Sequence, residues 1–252
     1  MKKAFNYLLI GSLVVCSCGT IWASVQSDIE KANNNGKAVF LVITEPGAIG
    51  AEKAMSVAKQ ASNKVADSIA IEMNRADTNN NHLIDKYRLA GAQLPLILVV
   101  ASNGVAAGGL PPDQATPEML EQLIPSPKKA EVLQALSEGK AVFVVASRQS
   151  MANLEKVSDT CKDAFNQMKG KTAFVSIDMD DKKENLFLQQ LRVNMSSTEP
   201  TTFVLNSNGQ VTGNFSGPVV ATQLVQATTK KAGGCCPGGS NQGCASSNQK
   251  GQ

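Results

Sequence analysis

The sequence predicts two tandem α/β domains, at residues 25–126 and 127–231. Three observations support this fold class. A seven-residue apolar segment occurs twice, as GKAVFLV from Gly36 and as GKAVFVV from Gly139. Amphipathic helical patterns alternate with short apolar strand patterns after both copies. A proline, Pro95 or Pro200, then precedes an Asn-Gly pair by the same spacing in each copy. A chain of 252 residues has room for two such domains.

The elements follow the same order in both copies. The first copy is expected to form helix 25–32, strand 36–42, helix 51–65, strand 68–73, helix 81–89, a hairpin after Pro95 and helix 117–124. The second copy is expected to form helix 130–136, strand 139–145, helix 154–168, strand 172–179, helix 185–193, a hairpin after Pro200 and helix 219–228. The hairpins are predicted because Asn-Gly accepts the positive φ angles of a tight turn.

Residues 1–23 have the layout of a secretory signal peptide. Two lysines open the segment, residues 4–22 carry no charged side chain, and small residues follow. We therefore expect an exported bacterial protein of the periplasm or cell envelope. The sequence around Cys18 also resembles a lipoprotein processing site, and acylation there would anchor the protein to a membrane surface. The alternative is that Cys16 and Cys18 are apolar residues of a removed signal.

The order of elements resembles the thioredoxin family over nearly the whole of each copy. The resemblance implies a central mixed sheet flanked by helices in both domains. In that family the proline that opens the hairpin has a cis peptide bond and lies against the active-site turn. Pro95 and Pro200 occupy the matching positions, so the resemblance implies a groove beside each of them.

The residues that carry the family's redox chemistry are missing from both copies. In redox-active members the first strand leads into Trp-Cys-Gly-Pro-Cys, and the first thiol is activated at a helix N-terminus. Counting from Gly36 and Gly139 places other residues at these cysteine positions: Ala48, Ala51, Met151 and Leu154. The buried carboxylate of the family is replaced by Val42 and Val145. None of these side chains supports dithiol exchange, so we expect no catalytic site in either domain.

Other sites receive no support from the sequence. His82 is the only histidine, which excludes histidine-dependent triads and multi-histidine zinc sites, and we expect it on the surface. A net charge of +3 and an aromatic content of 4% give no basis for nucleic-acid binding. No cofactor site is expected in the domains. Membrane contact is expected only through a lipid on Cys18.

Most of the remaining cysteines lie in a tail rich in Gly, Ser, Asn and Gln at residues 232–252. Cys161 is predicted to be a buried packing residue of a helix. Cys235, Cys236 and Cys244 leave three hypotheses open. They bind a soft metal ion, since thiolates favour such ions, they form a disulfide after export, or they have no defined partner.

Two functions follow from these observations. The first hypothesis is a non-catalytic binding module for a protein or peptide client, because the resemblance extends to the cysteine-free inner domains of protein disulfide isomerases. The second is thiol-based metal capture or redox transfer through Cys235, Cys236 and Cys244.

Overall fold

The computed structural model describes residues 24–230, which form two four-stranded mixed sheets. The predicted signal segment, Cys18 and the three tail cysteines lie outside these residues. The longest helices within residues 24–230 have 14 residues, and none of the described helices has the length and apolarity of a membrane span.

The two halves contain the same eight elements in the same order. In the first half these are α1 (Val25–Asn34), β1 (Ala38–Thr44), α2 (Ala51–Lys64), β2 (Ser68–Asn74), α3 (Asn81–Lys86), β3 (Leu96–Val100), β4 (Ala106–Leu110) and α4 (Pro117–Leu123). In the second half they are α5 (Pro127–Ser137), β5 (Ala141–Ser147), α6 (Leu154–Gln167), β6 (Thr172–Asp178), α7 (Asn185–Gln190), β7 (Thr201–Leu205), β8 (Val211–Ser216) and α8 (Ala221–Thr229). A short 3-10 turn precedes both α3 and α7. The predicted elements are confirmed in type and order, but the predicted bounds were wrong in places: β1 and β5 begin two residues later and end two residues later than predicted, and α3 and α7 end three residues earlier.

The sheets have identical topology. The first has the order β2-β1-β3-β4 and the second the order β6-β5-β7-β8. β1 runs parallel to β2 and antiparallel to β3, which is antiparallel to β4, and the second sheet repeats these relations. This arrangement is the thioredoxin-like fold, present twice, and the predicted fold class is confirmed.

The central strand of each sheet is buried on both faces. All seven residues of β1 and all seven of β5 are buried. Val39, Leu41 and Ile43 pack in one cluster with residues of α1 and α3, whereas Phe40 and Val42 pack in another with α2 and α4. Fully burying one such side chain stabilises a fold by about 1.5–3 kcal/mol. The repeated apolar segment is therefore the centre of each core.

The hairpin turns differ in one detail from the prediction. Gly104 and Gly209 have φ values of 81° and 77°, but neither asparagine before them has a positive φ. Asn103 uses its side chain instead, since its Oδ1 accepts a hydrogen bond from the N–H of Val105 at 3.3 Å. The turns are thus longer than a two-residue hairpin, because only the glycine adopts the left-handed conformation.

The connection between the halves is short and is hydrogen-bonded to the second half. α4 ends at Leu123 and α5 begins at Pro127, with Ser126 as its N-cap residue. The carboxylate of Glu184, only 1% exposed, accepts bonds from Ser126 Oγ at 2.5 Å and from the N–H of Lys128 at 2.9 Å. A negative charge at a helix N-terminus is favourable because the first N–H groups of a helix lack partners.

Helix α5 also contacts the first half. Asn103 Nδ2 donates to the carbonyl of Ala130 at 2.9 Å. Ala101 and Val105 of the first hairpin pack with Ala130 and Leu133 in a small apolar cluster. The second domain therefore rests on the hairpin of the first through its own first helix.

We expect Glu184→Ala to reduce the free energy of unfolding by about 1.5–3 kcal/mol, because two hydrogen bonds to a buried carboxylate are lost. Urea unfolding measures this change. Glu184→Gln keeps an acceptor and should cost less. The control is Glu121→Ala, which replaces an exposed glutamate of α4 and should change stability by less than about 0.5 kcal/mol. Equal effects at the two positions would contradict the role of Glu184.

Candidate functional site

The turn after the central strand has the same length in both halves. It covers residues 45–50 between β1 and α2, and residues 148–153 between β5 and α6. Ala51 and Leu154 are the first residues of their helices, and Ala48 and Met151 precede them by three positions. The structure thus places all four degenerate positions at the N-terminal ends of α2 and α6.

These two helices begin without a side-chain cap. Their N-cap residues are Gly50 with φ 93° and Asn153 with φ 58°, and neither side chain bonds to the helix. By contrast, Ser24, Thr116 and Ser126 cap α1, α4 and α5 through their hydroxyl groups. The first N–H groups of α2 and α6 therefore have no side-chain acceptor at the place where the family holds its thiolate.

The side chains around these positions are apolar. Val42 and Val145, at the place of the buried acid, are 0% exposed. Met151 is 8% exposed, and its Sδ accepts a hydrogen bond from the backbone N–H of Arg148 at 3.3 Å. A thioether and an alkyl side chain supply neither a nucleophile nor a group that takes up a proton. Neither turn therefore holds the side chains that dithiol exchange needs at these positions.

An arginine fixes the walls of the site in the first half. Arg75 follows β2, and its Nη2 lies 2.7 Å from Oε2 of Glu45, the first residue of the turn. Arg75 Nη1 donates to the carbonyl of Ala92 at 2.7 Å, in the loop before Pro95. The guanidinium therefore joins the turn after β1 to the loop that carries the proline.

The second half has the same connection with the charges exchanged. Arg148 occupies the position of Glu45, and its Nε donates to Oδ1 of Asp180 at 2.9 Å. Arg148 Nη2 donates to the carbonyl of Met195 at 3.0 Å, in the loop before Pro200. Both halves hold their turn in place by an ion pair, although the arginine comes from a different element.

Pro95 lies against the first turn, as the resemblance implied. The Leu94–Pro95 peptide bond is cis. A Cβ placed on Gly50 would lie 3.8 Å from Cγ of Pro95 and 3.7 Å from Cγ of Pro112. Ile49 next to it is 94% exposed. We call the surface of Ile49, Gly50 and Leu94 the first groove; Pro95 and Pro112, which lie against Gly50, are themselves buried.

The second half differs from the expectation at Pro200. The Glu199–Pro200 bond is trans, the form that most X–Pro bonds adopt. Glu199 replaces Leu94 here, and its carboxylate accepts bonds from Asn153 Nδ2 at 3.0 and 3.1 Å. Ser197 Oγ further accepts from the N–H of Glu199 at 3.2 Å and donates to its carbonyl at 2.8 Å. A polar bridge therefore spans the second turn where the first half has an open apolar surface.

Cys161 is buried in the core of the second half, which confirms the prediction for this residue. Its side chain is 0% exposed, and Sγ lies 3.9 Å from Oγ1 of Thr202. Burial raises the pKa of the Cys161 thiol to about 11, and the contact with Thr202 opposes this only in part. The thiol is therefore protonated at neutral pH and is no candidate nucleophile.

The other residues considered from the sequence are His82 and the tail cysteines. His82 is exposed on α3. Within residues 24–230 no three side chains of His, Cys, Asp or Glu are grouped as a metal site would need. Cys235, Cys236 and Cys244 lie outside these residues, so their metal binding stays a prediction.

Sequence reasoning missed the two ion pairs and the bridge between Asn153 and Glu199. A signal for the ion pairs was present, since Glu45 and Arg148 occupy the same place in the two copies with opposite charges. The exposure of Ile49 could not be predicted from the sequence, because an isoleucine between two buried elements is ordinarily assigned to the core.

Comparisons with known proteins gave matches only among solved structures. No protein-family model and no curated protein matches the sequence. The chain is similar in structure to a thioredoxin-family thiol:disulfide interchange protein from Chlorobium tepidum, with 17% identity, 38% of this chain and 81% of that chain covered, and a TM-score of 0.27.

Two structures with several domains are also similar. The first two thioredoxin domains of Saccharomyces cerevisiae Eps1p share 10% identity over 82% of this chain and 96% of that chain, with a TM-score of 0.29. The zinc-bound form of human ERp44 shares 12% identity over 83% of this chain and 56% of that chain, with a TM-score of 0.33. At such values the fold assignment rests on the strand order and connections described above.

The difference between the two turns predicts different thiol reactivity. Ala48→Cys places a thiol on a half-buried turn beside an uncapped helix, whereas Met151→Cys places it in the core. In a background with the tail cysteines replaced by serine, we expect iodoacetamide to label the first variant at least about tenfold faster, because both thiols lie at a helix N-terminus but only the first is accessible to the reagent. Mass spectrometry measures the labelling. Equal rates would contradict the placement of the two turns.

The buried thiol also predicts a pH dependence of stability. Between the ordinary value of 9.0 and about 11, the unfolded chain releases the Cys161 proton and the folded chain retains it. The free energy of unfolding therefore falls as pH rises through this interval. Urea unfolding of the wild type and of Cys161→Ser, which does not titrate there, should diverge in this range. Parallel pH profiles would show that the thiol titrates normally.

Proposed function

We propose that this protein is an exported, redox-inactive binding module that holds an apolar segment of a client protein in the first groove. One observation carries the proposal. Ile49 is 94% exposed at a turn that lies against a cis proline, at the position where a redox enzyme of this fold has its active-site motif. The signal-like pattern of residues 1–23 supports export.

An exposed isoleucine of this kind favours association. Most large apolar side chains of the described residues are covered, whereas Ile49 is almost fully accessible to water. Burying such a side chain against a partner is favourable by about 1.5–3 kcal/mol. Gly50 and Leu94 are partly exposed near it, whereas Pro95 and Pro112 are buried, so the accessible apolar surface is mainly that of Ile49.

The first groove is better suited to this role than the second. The hydrogen bonds between Asn153 and Glu199 cross the second turn, and a client there would have to displace them. Glu199 also brings a charge to the position that Leu94 holds in the first half. A charge that loses water without gaining a partner opposes binding.

The walls of the first groove are held before a client arrives. Arg75 bonds to Glu45 on one wall and to the carbonyl of Ala92 on the other. A surface fixed in this way loses little conformational freedom on binding, so more of the contact energy appears as affinity. The ion pair thus supports the groove without touching the client.

The second candidate function is metal capture or redox transfer by the tail. Its support is the grouping of Cys235, Cys236 and Cys244 in a stretch that has few apolar residues. This candidate and the first one use different parts of the chain, so substitutions separate them.

The proposal is tested with a labelled non-native protein, such as reduced and carboxymethylated lactalbumin, by fluorescence anisotropy. We expect Ile49→Ser to weaken binding about tenfold, which corresponds to the loss of one buried apolar side chain. The matched control is Val211→Ser, which removes a 47% exposed valine from β8 and should leave the affinity unchanged.

A further variant separates the two candidates. Replacing Cys235, Cys236 and Cys244 by serine should leave binding unchanged if the first groove holds the client. Loss of binding in this variant, with Ile49→Ser still active, would overturn the proposal and favour the tail.

A further inference from the structure

A cleft lies between the two halves, away from both turns. Its volume is about 780 Å³, which is within the range of small-molecule sites. The end of α3, the two hairpin turns and the C-terminal part of α5 form its walls. We call this surface the interdomain cleft and define it by the residues that carry the argument: Lys86, Tyr87, Arg88, Val105, Leu133 and Leu136.

One side of the interdomain cleft is positively charged. The charged residues that line it are Asp85, Lys86 and Arg88, an excess of one positive charge. Within residues 24–230 neither Lys86 nor Arg88 lies in an ion pair. Lys86 Nζ instead lies 5.1 Å from the centre of the Tyr87 ring. Two cations are therefore available to an anion.

Tyr87 adds a neutral group to this side. Its hydroxyl donates to the carbonyl of Gly104 at 3.4 Å. Burial raises the pKa of Tyr87 to about 12, so the ring carries no charge at neutral pH. The positive charge of Lys86 and Arg88 is thus not neutralised by a phenolate.

The other side of the interdomain cleft is apolar. Val105 is 8% exposed, and Leu133 packs with it against the first hairpin. Leu136 extends the apolar side of the cleft toward the second hairpin. Its Cδ1 lies close to Gly209, at 3.4 Å from the place that a Cβ on this glycine would take. The cleft therefore combines an aliphatic wall with a cationic one.

The backbone of Arg88 does not by itself indicate binding. Arg88 has φ 55°, but Arg192 at the same position of the second half has φ 56°. The left-handed conformation is thus a property of the repeat. Arg192 does not line the cleft, so it supplies a matched control.

We infer that the interdomain cleft binds an amphiphilic carboxylate, with the carboxylate between Lys86 and Arg88 and the aliphatic chain against Leu133 and Leu136. Charge-assisted hydrogen bonds from Lys and Arg to carboxylates are stronger than neutral ones, which fixes the orientation of the ligand. The site requires both halves of the chain, because the cations come from the first domain and the leucines from the second.

Isothermal titration of the full chain with octanoate and with octylamine tests this inference. Octanoate should bind, and octylamine, of equal chain length but opposite charge, should bind at least about tenfold more weakly, since the charged residues of the cleft have an excess of positive charge. Lys86→Met/Arg88→Asn should weaken octanoate binding at least about tenfold. Lys182→Met/Arg192→Asn removes the same charges outside the cleft and should leave the affinity unchanged.

A second variant tests the apolar wall. Ser137→Trp, at the exposed end of α5, fills the cleft without altering its charge and should also lower the affinity for octanoate. Equal binding of octanoate and octylamine, no octanoate binding up to about 10 mM, or an affinity untouched by both cleft variants would overturn the inference.

Discussion

The complete burial of the central strand in each half is the constraint on which the rest of this structure depends. Strands β1 and β5 are covered by helices on both faces, so the chain turns only where the strand ends. The turn that follows therefore lies at the C-terminal end of the strand, beside the proline that opens the hairpin. Val42 and Val145 lie within these buried strands, at the position where redox-active members of the fold have a buried acid, and neither side chain takes up a proton.

The two halves use one scaffold for two different surfaces. In the first half Gly50 and Leu94 have no side chain that donates or accepts a hydrogen bond, whereas in the second Asn153 and Glu199 bond to each other across the turn. Glu45 is replaced by Arg148 at the same position, and its ionic partner comes from Asp180, one residue beyond Met179, which corresponds to Arg75. The two halves thus differ in the side chains on the surface of the turn. In both halves an arginine joins the turn to the loop before the proline.

The repeat made the fold predictable. Gly36 and Gly139 mark helix ends with positive φ, and the apolar segments after them could only be buried strands. The positions of Ala48 and Met151 followed from counting alone. The bridge between Asn153 and Glu199 could not be predicted, because it joins residues far apart in sequence whose contact depends on the third dimension.

The same limit applies to the connection between the halves. Glu184 reads as one charge in a solvated run of lysines and acids, yet its carboxylate is buried at the start of α5. The corresponding residue of the first half is Asn80, whose amide donates to the carbonyl of Asn74 within its own domain. Only the tertiary structure shows that Asn80 bonds within its own domain, whereas Glu184 bonds to the linker.

Alanine at positions 48 and 51 has a kinetic consequence. A partner held beside these residues forms no mixed disulfide, so no reductant or resolving thiol takes part in its departure. Its residence time is set by the dissociation rate of a non-covalent complex, and reducing or oxidising surroundings leave that rate unchanged at this surface.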